Sequence, residues 1–384
     1  MATATKRIYL DHAATTAVRP EVMEVMRPFF DKKYGNASSL HAMGREASEA
    51  LEKSRETIAK HLGSKPEEVF FVSSGTEANN TVLKGAAFAK KTGHIVTSKI
   101  EHDCVLNSTR WLQGQGFKAT YMDVDPQGVV QKETLANAMQ PDTFIVSVMA
   151  ANNEIGTLQD INELGKIAHE KGALFHTDAV QAFGKIPLSL DNIDLLSVSA
   201  HKLYGPKGVG MLFKREGVQI TPLLHGGGHE RGLRSSTENV AGIVGFAKAV
   251  ELAFAEMKKE SARQTKLRDK LIKGVLLVSN SWLNGHPTKR LPNNANFGFK
   301  FIEGEGLVLR LDAKGIMAST GSACSSKELK PSHVLTACGL KPEEAHGSLR
   351  LTLGRENTEE DADYVLQTLP GVIGALRAMS PLTE

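Results

Sequence analysis

The chain has 384 residues, 41% hydrophobic and 23% charged. That is enough apolar material for a large core, and enough length for about two or three domains. Its formal net charge is +3 at pH 7 with no dense Lys/Arg block, which argues against nucleic acid as the main ligand. No apolar run approaches the roughly 20 residues that span a bilayer. No apolar segment follows the basic start, so no signal peptide is expected. Cys104, Cys324 and Cys338 are too few for a disulfide framework and fit a reducing cytosol.

Apolar runs alternate with helical patterns through the middle of the chain. The first candidate strand, 69–72, runs into Ser73-Ser74-Gly75-Thr76, which opens a helix through 77–83. A Gly-containing turn at a helix N-terminus presents free N–H groups to phosphate. The same residues also read as an ordinary Ser/Thr N-cap. They lack the Gly-x-x-x-x-Gly-Lys order of a nucleotide P-loop. The second candidate strand, 94–98, precedes Glu101-His102-Asp103-Cys104. His102 is a candidate for stacking on a flat cofactor and moving protons, or a hydrogen-bonded structural residue. A Cys two residues on along a strand points the same way as the His without facing it, so Cys104 is expected to be a small packing residue.

Candidate strands follow at 119–122 and 144–149. The latter leads into Asn152-Asn153-Glu154-Ile155-Gly156. An Asn at that strand end can donate to a phenolic oxygen, or the segment is simply a helix-entry loop. The helix 162–171 has apolar positions at Leu164, Ile167 and Ala168, with Gly172 as its stop. A strand at 173–176 then closes on Thr177-Asp178, with Gln181 in the following turn. Another at 195–198 closes on Ser199-Ala200-His201-Lys202.

A strand ending in Asp, then a strand ending in Ser-x-His-Lys, is what a pyridoxal phosphate (PLP) site needs. The Asp pairs with the pyridinium nitrogen, the Ser and His hold phosphate, and the Lys forms the Schiff base. Such a lysine needs a neutral amine, which burial and neighbouring cations favour. Taken singly, Asp178 is also a possible N-cap and Lys202 a possible surface lysine.

A turn at 204–210 leads into a strand at 209–213. Gly226-Gly-Gly-His-Glu-Arg-Gly232 is a flexible loop near the site or only a turn. A long helix is expected over 239–273, of a length that bridges a large domain to a smaller one. The rest reads as α+β, with elements at 295–299, 305–313 and 348–352. A closing helix, 358–379, has Thr358-Glu-Glu-Asp361 as N-cap and first turn.

Cys324 lies among small residues in Ser319-Thr-Gly-Ser-Ala-Cys-Ser-Ser326, which suggests an accessible loop and a nucleophile if its thiolate is favoured. The alternative is a small buried residue. Cys338 sits at a helix end and reads as structural. No zinc spacing occurs. No resident metal is expected, with Cys324 only a candidate transient iron–sulfur ligand. Arg350, in an apolar strand-like run, needs an anionic partner, either a substrate carboxylate or an internal salt bridge.

The β–α rhythm implies an α/β chain with a mostly parallel seven-stranded sheet covered by helices on both faces, and a smaller α+β C-terminal domain. The large domain is expected over 15–255. The small one is expected over 1–14 and 256–384, carrying the cysteine loop.

The motifs also occur in a recognisable order. Tyr9-Leu-Asp-His-Ala-Ala-Thr-Thr16, Gly35-Asn-Ala-Ser-Ser-Leu-His41, Ser74-Gly-Thr-Glu-Ala-Asn-Asn80, Glu101-His102, Asn152-Asn-Glu-Ile-Gly156, Asp178-Ala-Val-Gln181, Ser199-Ala-His-Lys202, Arg231-Gly-Leu-Arg-Ser-Ser-Thr237 and Gly321-Ser-Ala-Cys324 run nearly end to end. In this order the chain resembles the NifS/IscS-type cysteine desulfurases, PLP enzymes of the class V aminotransferase, type I fold. Ala37, Ser236 and His229 stand where Pro, Gly and Gln are usual, and none is a catalytic group.

The resemblance implies that Lys202 carries PLP, Asp178 meets the ring nitrogen and His102 stacks on the ring. Asn153 and Gln181 flank the phenolic oxygen. Gly75, Thr76, Ser199 and His201 hold the phosphate, joined by Thr237 from the partner subunit of a homodimer. Arg350, helped by Asn36, takes the substrate carboxylate. The implied activity converts L-cysteine to L-alanine in the cytoplasm. It leaves a persulfide on Cys324 for an iron–sulfur scaffold or a tRNA-thiolation protein, with no direct nucleic acid or membrane partner. A selenocysteine lyase or a class V aminotransferase are the alternatives on the same fold. A PLP-less scaffold protein is a further one, against which Lys202, Asp178 and His102 all argue.

Overall fold

The computed structural model describes residues 6–321 and 331–380. Its centre is a seven-stranded sheet. In chain order the strands are β1 (Ile8–Tyr9), β2 (Val69–Val72), β3 (His94–Ser98), β4 (Lys118–Met122), β5 (Thr143–Ser147), β6 (Leu174–Asp178), β7 (Leu195–Ser199), β8 (Gly210–Lys214), β9 (Ser281–Asn284), β10 (Asn294–Phe299), β11 (Ile316–Met317) and β12 (Ser348–Thr352). The central sheet runs β2-β8-β7-β6-β5-β3-β4. Only β8 runs against the others, antiparallel to both β2 and β7. All seven expected strands are present, with ends that agree to within two residues.

Both faces of this sheet are apolar, as a covered parallel sheet requires. Successive side chains point to opposite faces. Phe70, Ile145, Leu195 and Leu212 pack under the helices Gly75–Lys90 and Asp103–Gly114. Their chain neighbours Phe71, Val146, Leu196 and Phe213 face the other way, toward the helix Ala42–Leu62 and the first part of the helix Val240–Val275.

A second core forms around a smaller antiparallel sheet, β12-β10-β9. Phe297, Phe299, Leu349 and Leu351 pack there against Leu267, Leu271 and Val275 and against the helix Glu359–Arg377. That closing helix begins as expected. Thr358 Oγ1 accepts the Asp361 amide at 3.3 Å and Asp361 returns the bond to the Thr358 amide at 3.0 Å. The 36-residue helix Val240–Val275, about 54 Å long at 1.5 Å per residue, has its first third in one core and its last turns in the other.

The N-terminal segment does not stay with the large sheet. β1 pairs in parallel with β11, and Ile8 and Leu10 are buried in the second core. From there residues 11–16 cross to the ends of β6 and β7. Because β2, β3, β5, β6 and β7 all run the same way, their carboxyl ends line one edge of the sheet. Ligands of open α/β sheets gather at such an edge.

Candidate active site

A cavity of about 200 Å³ opens at that edge. Gly75, Thr76, His102, Asn153, Asp178, Gln181, Ser199, His201, Lys202 and Arg350 all line it. Ten of the thirteen candidate residues therefore meet in one space, although they span 275 positions of sequence.

At the end of β2, Ser74 caps the helix Gly75–Lys90, its hydroxyl accepting the Glu77 amide at 3.2 Å. The N-cap reading is observed, and a cap satisfies only part of the first turn. The amides at Gly75 and Thr76 remain at the cavity with the positive end of the helix dipole. A side chain at Gly75 has no room, since a Cβ there would lie 2.6 Å from Val180 Cγ2.

At the end of β3 the chain turns directly into a helix. His102 is the N-cap of Asp103–Gly114, and its Nδ1 accepts the Cys104 amide at 3.2 Å. Cys104 packs against the core as expected, but its expected geometry toward His102 is corrected here. His102 and Cys104 do not lie on a strand, and they do face each other. Cys104 Sγ is 3.0 Å from His102 Nδ1, and the half-buried thiol lines the cavity. Helical rather than extended backbone brings residues two apart around the cap. Cys338 is as expected, a half-buried C-cap residue of the helix His333–Ala337. Burial pushes its thiol up to about 12.

After β5, Asn152 is consumed by structure. Its side chain donates to the Ile100 carbonyl at 2.8 Å and accepts the Glu154 and Ile155 amides, both at 2.9 Å. Asn153 is the one that reaches the cavity. Asp178 closes β6 and is 5% exposed. Its Oδ1 accepts the Val180 amide at 2.9 Å and its Oδ2 accepts Asn79 Nδ2 at 2.6 Å.

Ser199 ends β7, and a single 3-10 turn, Ala200–Lys202, brings His201 and Lys202 to the cavity. Lys202 Nζ donates to the main-chain carbonyls of Ala13 at 2.7 Å and Ala14 at 2.6 Å. Gln181 Nε2 donates to the same Ala13 carbonyl at 2.9 Å. Thr15 Oγ1 lies 3.1 Å from His201 Nδ1. Burial, with Lys202, Lys207 and Lys185 nearby, pushes His201 down to about 4. Lys185 is itself pushed down to about 7 by burial and by Lys202. At neutral pH His201 is therefore an uncharged hydrogen-bonding group.

Arg350 comes from the middle of β12, in the smaller sheet, and is 2% exposed. Nη2 pairs with Asp11 Oδ1 at 2.7 Å, and Nη1 donates to the carbonyls of Asn153 at 3.1 Å and Gly321 at 3.3 Å. Nε is buried with no hydrogen-bond partner among the described residues. Both sequence readings of Arg350 thus survive, since it has an internal ion pair and still reaches the cavity with an unused donor.

Two expected residues lie elsewhere. Asn36 is exposed and outside the cavity, with its side chain turned to the Ser38 amide at 2.9 Å. Thr237 is exposed and also outside it. Cys324 lies outside the described residues. On either side of it, the Gly321 carbonyl accepts from Arg350, and Ser332 donates to Glu154 Oε2 at 2.5 Å. The glycine-rich segment 226–232 does not line the cavity. It closes in a single 3-10 turn, Glu230–Gly232, in which Glu230 is buried with Arg55 and accepts the Phe71 amide at 2.7 Å.

Sequence reasoning passed over Asp11, Ala13, Ala14, Asn79 and Glu154. Four of them lie inside the stretches Tyr9–Thr16 and Ser74–Asn80 and carried a signal only as parts of longer motifs. The two alanines act through main-chain oxygens, which no residue type announces.

The aminotransferase class-V profile matches residues 8–365. The chain is 53% identical to the cysteine desulfurase IscS of Methanosarcina thermophila, covering 100% of this chain and 96% of that protein. It is 52% identical to the cysteine desulfurase IscS of Dictyoglomus turgidum, covering 99% of this chain and 98% of that protein. A solved structure described as a NifS-like protein superposes with a TM-score of 0.91 at 44% identity, covering 96% of this chain and 100% of that one. Buried carboxylate, strand-end lysine and helix N-terminus thus occur within a fold and a sequence shared end to end, and the chain belongs to the class-V aminotransferase family, among the IscS-type cysteine desulfurases.

Proposed function

We infer that this protein is a PLP-dependent cysteine desulfurase that converts L-cysteine to L-alanine and passes the sulfur to an acceptor protein. The observation that carries the reading is the convergence of Asp178, Lys202 and Arg350 on one cavity. It joins a carboxylate for a ring nitrogen, a lysine amine and a cation for an amino acid's carboxylate.

The donor set fits PLP. The amides at Gly75 and Thr76, with Ser199 and neutral His201, would hold the phosphate. Asp178 would meet the ring nitrogen, His102 would lie on the ring, and Asn153 and Gln181 would flank the phenolic oxygen. Lys202 would bond the aldehyde carbon. Bound there, the cofactor supplies an electron sink for bond breaking at Cα.

The remaining work falls to the chain. Arg350 takes the carboxylate of cysteine and so fixes which bond at Cα faces the Lys202 amine. Lys202 lifts the Cα proton and holds it at Nζ, and the Ala13 and Ala14 carbonyls are placed to accept the ammonium hydrogens. His102 exchanges a proton with the substrate thiol. The Cys324 thiolate attacks the substrate sulfur. The new S–S bond forms as the C–S bond breaks, its electron pair stays with carbon, and protonation there yields alanine.

The working unit is proposed to be a homodimer in the cytoplasm. Thr237 is exposed and outside its own cavity, which suits a contact with the partner's phosphate. Exposed Phe30, Tyr34 and Leu40 suit a covered face. The large domain is proposed as 15–255 and the small one as 1–14 with 256–384. The acceptor is proposed to be an iron–sulfur scaffold or a tRNA-thiolation protein. The test measures alanine and sulfide from L-cysteine with and without a thiol acceptor. Stoichiometric alanine without added keto acid is expected. Turnover that requires a keto acid would mean an aminotransferase, and turnover of selenocysteine alone a lyase of the selenium amino acid.

A further inference from the structure

One contact at the cavity has no part in the chemistry above. His102 Nδ1 accepts the Cys104 main-chain amide at 3.2 Å, and Cys104 Sγ lies 3.0 Å from the same nitrogen. An amide N–H can only donate. Nδ1 therefore carries a lone pair, and the proton of the neutral ring sits on Nε2. A thiol facing a bare nitrogen is the donor of that pair. Its sulfur in turn accepts Asn79 Nδ2 at 3.1 Å, and the same amide group donates to Asp178 Oδ2 at 2.6 Å. Asn79 is 0% exposed, so water cannot replace either partner.

We propose that Cys104 is a positioning residue for His102: its thiol and its amide together hold the imidazole as the Nε2–H tautomer and tie it, through Asn79, to Asp178. Interest in His102 rests on the desulfurase reading, but the hydrogen-bond assignment does not depend on it. In this state the ring offers a donor at Nε2. It gains a second proton only by breaking the helix cap and turning the thiol away from Nδ1. Removing the thiol leaves one donor at Nδ1 instead of two, so protonation becomes easier. Around the ring stand Glu101, Asp103 and Asp178, and across the cavity Glu154, Lys202 and His333. All of them stay in place when only residue 104 changes. A serine has the same donor and acceptor capacity as the thiol on a shorter bond.

The test is 15N NMR of protein labelled at histidine, with the His102 ring signals identified by their loss in His102→Gln. The expected wild-type pattern is an unprotonated Nδ1 and a protonated Nε2. Cys104→Ala is expected to raise the pH at which His102 gains its second proton by about half a unit or more, the size of one net hydrogen bond. Cys104→Ser is expected to restore most of the difference. In turnover of L-cysteine, Cys104→Ala should move the acidic limb of the kcat profile by the same amount with KM unchanged. A wild-type proton on Nδ1 overturns the proposal, even if neither variant folds. So does an unshifted His102 titration in Cys104→Ala. Absence of any sulfide release from cysteine would remove the desulfurase reading and leave the NMR result decisive for Cys104.

Discussion

The two walls of the cavity are built differently. On the wall made by the large sheet, the groups sit at successive strand ends and each has its own set of contacts. Asp178 is held by Val180 and Asn79, His102 by Cys104, and His201 follows Ser199 by two residues. Lys202 and Asp178 stand there together, while burial and the neighbouring lysines keep His201 neutral. On the wall made by the small sheet, one cation does the work. Arg350 gathers Asp11, Asn153 and Gly321 from three distant parts of the chain. A cofactor that stays can be gripped by many separate short contacts. A substrate that comes and goes needs one strong, directional group whose orientation depends on distant segments meeting correctly.

Substitutions should separate the two walls. The largest effect is expected at Lys202→Ala, with turnover reduced by about a thousandfold or more, in the range of losing a covalent catalyst. Visible absorbance of the purified protein should lose its pH sensitivity, and borohydride should no longer fix PLP to the chain. Borohydride labelling of another lysine would reassign the site. Cys324→Ser comes next. Cysteine should still change the PLP spectrum, because Lys202 and Arg350 remain, while sulfide and alanine release fall to near background. Mass spectrometry of the wild type after brief exposure to cysteine should find one added sulfur on the Cys324 peptide, and sulfur on Cys104 or Cys338 instead would refute the assignment.

On the opposite wall, Arg350→Lys keeps the charge but loses the planar fork. KM for cysteine should rise by about tenfold to a hundredfold with the PLP spectrum intact, and an unchanged KM would make Arg350 purely structural. The smallest effect at neutral pH is expected in acid stability. His176 lies fully buried between Ser147 Oγ at 2.8 Å and Ser197 Oγ at 3.0 Å, and burial pushes it down to about 3. A histidine depressed in the folded state contributes stability that is complete above its ordinary value near 6.5. That stability is lost as pH falls toward 3, at about 1.4 kcal/mol per unit. Urea unfolding of His176→Gln should therefore show a shallower loss between pH 6 and 4 than the wild type, and parallel curves would discount this histidine.

The contrast between the walls also explains what could be read from the chain. The strands 69–72 and 94–98 are recoverable to the residue because their apolar runs are short, fully buried and bounded by polar turns. Asp178 and Lys202 are legible because strand-end position and residue type coincide. The two-residue strands β1 and β11 leave no periodicity to detect, and the helix Ala42–Leu62 is so rich in charged residues that its apolar stripe of Ala47, Leu51, Ile58 and Leu62 is faint. The contact between His102 and Cys104 is not legible, because alternation along a strand does not apply where a histidine cap starts a helix. The tie between Arg350 and Asp11 joins positions 339 apart, and a single chain carries no trace of such a pairing.

The carbonyls of Ala13 and Ala14 have a practical corollary for mapping this site. Side-chain scanning replaces residues by alanine and scores what is lost. These two positions are alanine already, and the atoms that meet Lys202 belong to the peptide backbone. A full alanine scan would therefore pass over two acceptors of the lysine's hydrogens without a signal. Replacing a single amide by an ester, in protein assembled by chemical ligation, would weaken one carbonyl as an acceptor and make its contribution visible.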